Sequence, residues 1–212
     1  MSEARTRIWL VRHGQIAANI TAHWHGWTDS PLTDLGRAQV ERVAGWFADA
    51  AHPVRAIYTS PLQRTHDTAR GIAGSLGLEA EPVTNLREYG IGELEGTHYR
   101  DLVERVGFFD RIRQDPHWAP EGGESLHGVV RRMCDTFEDI AARHAGEDVV
   151  VVSHGAAMAL TIAHLLHADP LAWDNYHVGN CSVSEFWLKP EPGVGLFNHT
   201  EHLDTLGRAT HE

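Results

Sequence analysis

The chain has 212 residues, 42% of them hydrophobic and 22% charged, and a formal net charge of −11. That length suits one large domain or two small ones and can bury a sizeable core. The acidic balance argues against a nucleic-acid partner, which selects a basic surface. It also means that a site for an anionic ligand must assemble its own cations locally.

The first apolar run, Ile8 to Val11, is too short for a signal-peptide core, and no run approaches a membrane span. The expectation is a soluble, cytoplasmic protein with no membrane partner. Its two cysteines, Cys134 and Cys181, could pair, but two in a chain of this length read more readily as free thiols in a reducing compartment.

In chain order, Ile8–Val11 predicts a buried strand that delivers Arg12-His13-Gly14 at its end. Gln15 to Asp29 shows no period and reads as a long ordered loop over that strand end. Pro31-Leu32-Thr33-Asp34 opens a helix with Thr33 as N-cap and Leu35, Val40, Val43, Ala44 and Phe47 on one face, closed by His52-Pro53. Ala56–Tyr58 is a short strand. Ser60-Pro61-Leu62-Gln63 then reads as a capping box, with serine at N-cap, and sets Arg64 in the first helical turn.

Glu79 to Val83, carrying Pro82, predicts an edge strand, and the glycine-rich stretch Leu86 to Gly96 a loop. Tyr99 to Pro120 mixes helical stretches with two prolines and reads as an insertion folded over a site. A helix from Glu124 to Ala145 follows Gly122-Gly123. Val149–Val152 is a second buried strand, ending in Ser153-His154-Gly155 and leading into an apolar helix, Ala156 to Leu166. Cys181 to Leu188 alternates as a strand, Gly195 to Phe197 pairs with it, and the tail from Thr205 frays. No linker or further repeat interrupts the pattern, so a single domain over 1–212 is expected, with a cap-like insertion around 88–122.

Strands alternating with helices indicate an α/β sheet covered on both faces, with ligands outside the carboxyl ends of the strands. His13, Arg64 and His154 all follow strands directly. If they meet, Arg12 and Arg64 offer forked donors for a tetrahedral oxyanion, two imidazoles supply a nucleophile and a donor, and Glu88 supplies an acid. Phosphoryl transfer needs mainly positioning and charge stabilisation, which this set provides without a metal or cofactor.

Arg12-His13-Gly14-Gln15, Asn19, Gly26-Trp27-Thr28-Asp29, Ser60-Pro61-Leu62-Gln63-Arg64, Leu86-Arg87-Glu88, Gly122-Gly123-Glu124-Ser125 and Val152-Ser153-His154-Gly155 together resemble the histidine phosphatase superfamily, also called phosphoglycerate mutase-like. The resemblance runs from about Ile8 to His202. It implies a three-layer α/β/α sandwich with a mostly parallel central sheet, and a phosphomonoesterase acting on a small phosphorylated metabolite. It makes His13 the nucleophile, Glu88 the proton donor, and Arg12, Arg64 and His154 the ligands of the equatorial oxygens. Asn19 and the backbone of Gly155 become further phosphate ligands, and Gln15, His25 and Gly26 fall on the substrate side. Like charge from Arg12 and Arg64 should lower the pKa of His13 and keep it neutral for attack.

Departures from the mutase pattern favour a phosphatase. Ile91 and Tyr99 stand where mutases carry a tyrosine and a lysine, His25-Gly26 where they carry Thr-Gly, and only 66 residues separate Glu88 from His154. Arg111 and Arg113 do not reproduce the mutases' adjacent arginines, and Ile16 replaces a small hydroxyl residue. A mutase and a non-catalytic phospholigand-binding module remain the alternatives. His23, Trp24, His25, Trp27 and the segment from Tyr99 to Trp118 wall the substrate side, with Trp24 and Trp27 equally readable as loop packing. No metal is expected at His23 and His25, which lack a neighbouring carboxylate or cysteine. His177, His199 and His202 read as surface residues.

Overall fold

In the computed structural model, which describes residues 5–49 and 52–206, six strands form one sheet in the order β3-β2-β4-β1-β5-β6. The strands are β1 (Arg7–Arg12), β2 (Val54–Thr59), β3 (Ala80–Pro82), β4 (Asp148–Ser153), β5 (Val183–Trp187) and β6 (Gly193–Val194). The first four are mutually parallel, β5 runs antiparallel to β1 and β6 antiparallel to β5, so the sheet is mostly parallel. β3, with its proline, is an edge, as its sequence predicts. β6 begins two residues before the expected pairing segment, which continues it through Gly195 N–H to Glu185 O and Glu185 N–H to Leu196 O.

β1 and β4 lie side by side at the centre, in register from Arg7 opposite Asp148 to Arg12 opposite Ser153. Their unbroken apolar runs follow from burial on both faces. Ile8, Leu10, Val149 and Val151 face one layer, formed by α6 (Leu126–Arg143) and α7 (Gly155–His167). Trp9, Val11, Val150 and Val152 face the other, formed by α2 (Asp34–Asp49) and α3 (Gln63–Leu76). Each Val or Leu side chain so buried contributes about 1.5–3 kcal/mol. Asp148 is the polar exception, bonded by Arg7 at 2.8 Å and Trp9 Nε1 at 3.2 Å.

Among the described residues no helix is long and apolar enough to cross a membrane. Cys134 and Cys181 are free. Thr33 caps α2 as expected, its Oγ1 accepting from Gly36 N–H at 3.0 Å.

Three expectations change. The loop after His13 contains a short helix, α1 (Ala17–Ile20), too brief to show a period; Asn19 Oδ1 closes its first turn by accepting from Ile16 N–H at 3.0 Å. Ser60 is not a helix cap, because α3 begins at Gln63 with Leu62 at the cap position and no side-chain cap bond. The tail continues in a 3₁₀ turn over Glu201–Leu206, so Thr205 is ordered, and the rest of the predicted fray lies outside the described residues.

Between β3 and α6 the chain forms 3₁₀ turns, a short helix α4 (Tyr99–Asp101), a π turn (Leu102–Val106) and α5 (Phe108–Gln114). Phe108, Phe109 and Ile112 are buried in the same core as α7.

Candidate active site

The carboxyl ends of β1 and β4 open into a cavity of about 240 Å³, lined by Arg12, His13, Asn19, His25, Glu88 and Gly155 among others. These are six of the ten residues singled out by sequence. The other four stand behind the wall.

His13 directly follows β1 and is 3% exposed. Its Nδ1 lies 2.8 Å from its neighbour's carbonyl, Gly14 O. A carbonyl only accepts, so Nδ1 carries the proton and Nε2 keeps a free lone pair. Burial first, then the charges of Arg64 and Arg12, hold its pKa well below the ordinary value. Desolvation, rather than the like charges expected from sequence, is the larger cause. Gly14 is required for close packing, since a Cβ there would lie 2.7 Å from Gly36 O in α2.

Arg12, half-buried, donates from Nη1 to Val178 O at 2.6 Å, while its Nε is buried without an acceptor among the described residues. Buried donors without acceptors are uncommon and ask for a reason; an oxyanion held in the cavity that Arg12 lines would supply one. Gly155 lets the guanidinium lie against the start of α7, where a Cβ would stand 3.3 Å from Arg12 Cζ.

Arg64 is 1% exposed, and its guanidinium spans the site from behind. It donates to His154 Nδ1 at 3.2 Å, Thr28 O at 2.9 Å, His25 O at 3.0 Å and Gly26 O at 2.8 Å. It therefore holds both the first loop and the second imidazole. His154, fully buried at the cap of α7, accepts from Arg64 at Nδ1, so its Nε2 carries the proton, 2.9 Å from Ser60 Oγ. Burial, with Arg64 next, holds His154 too well below the ordinary value. The two rings lie 5.3 Å apart.

Glu88 is 8% exposed and seated on the first turn of α7. Oε1 accepts from Tyr89 N–H at 2.8 Å and Ala157 N–H at 2.7 Å; among the described residues Oε2 accepts only from Ala156 N–H, at 3.1 Å. Its backbone carbonyl is fixed by Trp27 Nε1 at 2.9 Å and Arg132 Nη2 at 2.8 Å. Arg132 also donates to Asn85 O and Arg87 O and pairs with Glu124 at 2.7 Å. Arg132 sits within a helical run and nothing in its spacing marks it, so sequence reasoning passed it over.

Two of the predicted substrate residues serve the frame instead. Gln15 Oε1 accepts from Thr33 Oγ1 at 2.9 Å, so its side chain is turned to the cap of α2 and does not line the cavity. Gly26 donates its N–H to Glu95 at 2.8 Å, and a Cβ there would collide with Glu95 and Tyr89 O. Glu95 also accepts from Trp27 and Thr28, which fixes the loop beneath Arg64.

Trp24 lines the cavity and packs on Tyr89, Phe108 and Phe109, whereas Trp27 stacks under Arg87 and stays out of the lining. Tyr99 and His23 line it too. Trp173, Val178 and His177 were not foreseen there; His177 is exposed, as expected, but at the mouth of the cavity. His199 and His202 lie elsewhere, packed with Trp46, and His202 is half-buried, Nε2 donating to Cys181 O at 3.0 Å.

A sequence profile of the histidine phosphatase superfamily (branch 1) matches residues 8–196. A metal-independent phosphoserine phosphatase of Arabidopsis thaliana is 30% identical over 209 residues, covering 95% of this chain and 85% of its own. A probable phosphoglycerate mutase, GpmB, of Yersinia enterocolitica is 31% identical over 209 residues, covering 93% and 95%. Among solved structures, phosphoserine phosphatase from Entamoeba histolytica in complex with 3-phosphoglyceric acid superposes with a TM-score of 0.84 at 28% identity, covering 93% of this chain and 99% of that one.

Proposed function

The chain belongs to the histidine phosphatase superfamily, and we propose that it hydrolyses a small phosphomonoester with His13 as nucleophile and Glu88 as proton donor. The observation that carries this reading is the pairing of a neutral His13, its Nε2 free, with a carboxyl group fixed in the wall of the same cavity.

Nε2 of His13 attacks phosphorus, and the bond from phosphorus to the ester oxygen breaks. Glu88 gives that oxygen a proton through Oε2, its less engaged oxygen. Water then attacks the phosphohistidine, Glu88 takes the proton back, and the N–P bond breaks to release phosphate. Arg12, Asn19 and the Gly155 N–H hold the equatorial oxygens. Arg64 adds positive charge from behind the cluster where the transferring group builds negative charge, and it holds the neutral His154 ring beside His13.

Hydrolysis is favoured over mutase chemistry by what the cavity wall lacks. Ile91 is fully buried, and Tyr99 contributes a phenol at the rim rather than an ammonium. The segment 88–122 is the cap of a single domain, tethered by Phe108 and Phe109 and reaching the cavity through Tyr99. A cavity of this size suits a compact phosphorylated metabolite of the kind handled by the phosphoserine phosphatase relative. Free cysteines accord with a cytoplasmic setting.

The test is turnover of an aryl phosphate and of phosphoserine in excess EDTA. Activity should persist with chelator and fall by at least about a thousandfold in His13→Ala, as expected for loss of a covalent nucleophile. Full activity in that variant would remove His13 from the mechanism. Isomerisation of 3-phosphoglycerate at a rate above its hydrolysis would favour the mutase instead.

A further inference from the structure

We propose that Asn180 is a positioning residue that fixes which way the Asn19 amide faces the phosphate. Sequence reading assigned Asn180 no role. It lies in the turn before β5 and is 5% exposed. Its Nδ2 donates to His13 O at 3.0 Å and to Asn19 Oδ1 at 3.2 Å. An amide nitrogen has two hydrogens, and both are spent on residues of the candidate site.

The consequence falls on Asn19. Its Oδ1 accepts from Ile16 N–H at 3.0 Å as well as from Asn180, so both lone pairs of that oxygen are occupied. The amide therefore cannot turn over without pointing its NH₂ at two donors. Its Nδ2 is left toward the cavity, which Asn19 lines, as a donor to an anion. Without Asn180, one bond alone would hold the amide, and the flipped orientation, with an oxygen toward phosphate, would become accessible.

The segment around Asn180 also holds Arg12. Val178 O takes the Arg12 guanidinium and Cys181 N–H bonds Arg12 O at 2.9 Å. Asn180 is the one side chain of the turn that reaches both the nucleophile's backbone and a phosphate ligand.

The inference rests on the reading of Asn19 as a phosphate ligand, and a double-mutant cycle separates the two. Asn180→Asp is isosteric but sets acceptors against His13 O and Asn19 Oδ1. It should lower kcat/KM for an aryl phosphate and weaken orthovanadate inhibition by about ten- to a hundredfold, the effect of one hydrogen bond to a charged group. Asn19→Ala should lose a comparable amount. In the Asn19→Ala background, Asn180→Asp should shift vanadate inhibition by no more than about twofold, because the orientation it controls is gone. Any change in thermal midpoint would persist in both backgrounds, as a merely structural role predicts for every readout.

If the double variant instead loses the product of the single losses, or Asn180→Asp inhibits normally while Asn19→Ala is impaired, the positioning role is overturned and Asn19 keeps its own. If Asn19→Ala is itself silent, the ligand reading fails and the proposal with it. Circular dichroism reports folding. Should Asn180→Asp unfold, Asn180→Ala removes both donors without adding charge and is read through the same cycle.

Discussion

His154 is buried with both ring nitrogens engaged, Nδ1 by Arg64 at 3.2 Å and Nε2 by Ser60 Oγ at 2.9 Å. Arg64 fixes the tautomer by donating to Nδ1, and the Ser60 hydroxyl accepts the Nε2 proton that this leaves and holds the ring plane. Ser60→Ala leaves a buried N–H unpaired, at a cost of about 1–3 kcal/mol. It also frees the ring to turn beside His13. The expected outcome is a lower thermal midpoint together with a several-fold fall in kcat on an aryl phosphate. A serine that only capped α3 would lose about 1 kcal/mol on the same substitution and leave turnover untouched. Denaturation and turnover measured on one preparation distinguish the two roles.

At the scale of elements, the site depends on how the loop bearing Glu88 is clamped to α6. Arg132 bonds three successive parts of that loop, Asn85 O, Arg87 O and Glu88 O, and its partner Glu124 accepts from Gly90 N–H. Arg132→Ala removes the clamp and leaves Glu124 unpaired, a loss of about 3 kcal/mol for a largely buried pair. It lets Glu88 drift, and misplacement of about an ångström lowers kcat by roughly a hundredfold. Arg132→Lys should rescue little, because a point charge cannot span several carbonyls. An unchanged kcat in a folded Arg132→Ala protein would dissociate Glu88 from the clamp. This element also marks the limit of what the sequence made legible. Strands and helices were readable because burial writes a period into them, and Arg12, His13 and His154 because each sits at an element's end; Glu88, inside a glycine-rich loop, became legible through the family resemblance. Ser60 read as a cap because Ser-Pro-Leu-Gln fits that motif locally, while its real partner lies 94 residues away. Gln15 and Gly26 were read toward substrate for the same reason: their partners, Thr33 and Glu95, are contacts that only the folded chain creates. Arg132, Asn180 and Trp173 have no local signature at all.

For the molecule as a whole, an acidic chain has buried a cluster of cations and imidazoles at the end of its central strands, and stability should report this. The unfolded chain binds a proton at His13 and at His154 near the ordinary 6.5, whereas the folded chain holds both well below that value. Above 6.5 neither state is protonated there, and the fold carries no penalty. Below it the unfolded state takes up protons that the native state refuses, so stability is lost as pH falls from 6.5 toward the native values. Each imidazole contributes a slope of about 1.4 kcal/mol per pH unit in that window. Denaturant unfolding at steps from pH 7.5 to 5.5 should therefore be flat above 6.5 and fall below it. His13→Gln keeps a neutral polar side chain and removes one titrating group, so its slope below 6.5 should be shallower by one proton's worth. An identical slope in the variant would mean that folded His13 accepts its proton near 6.5. A nucleophile already charged in mildly acid solution would contradict the neutral Nε2 on which the proposed attack depends.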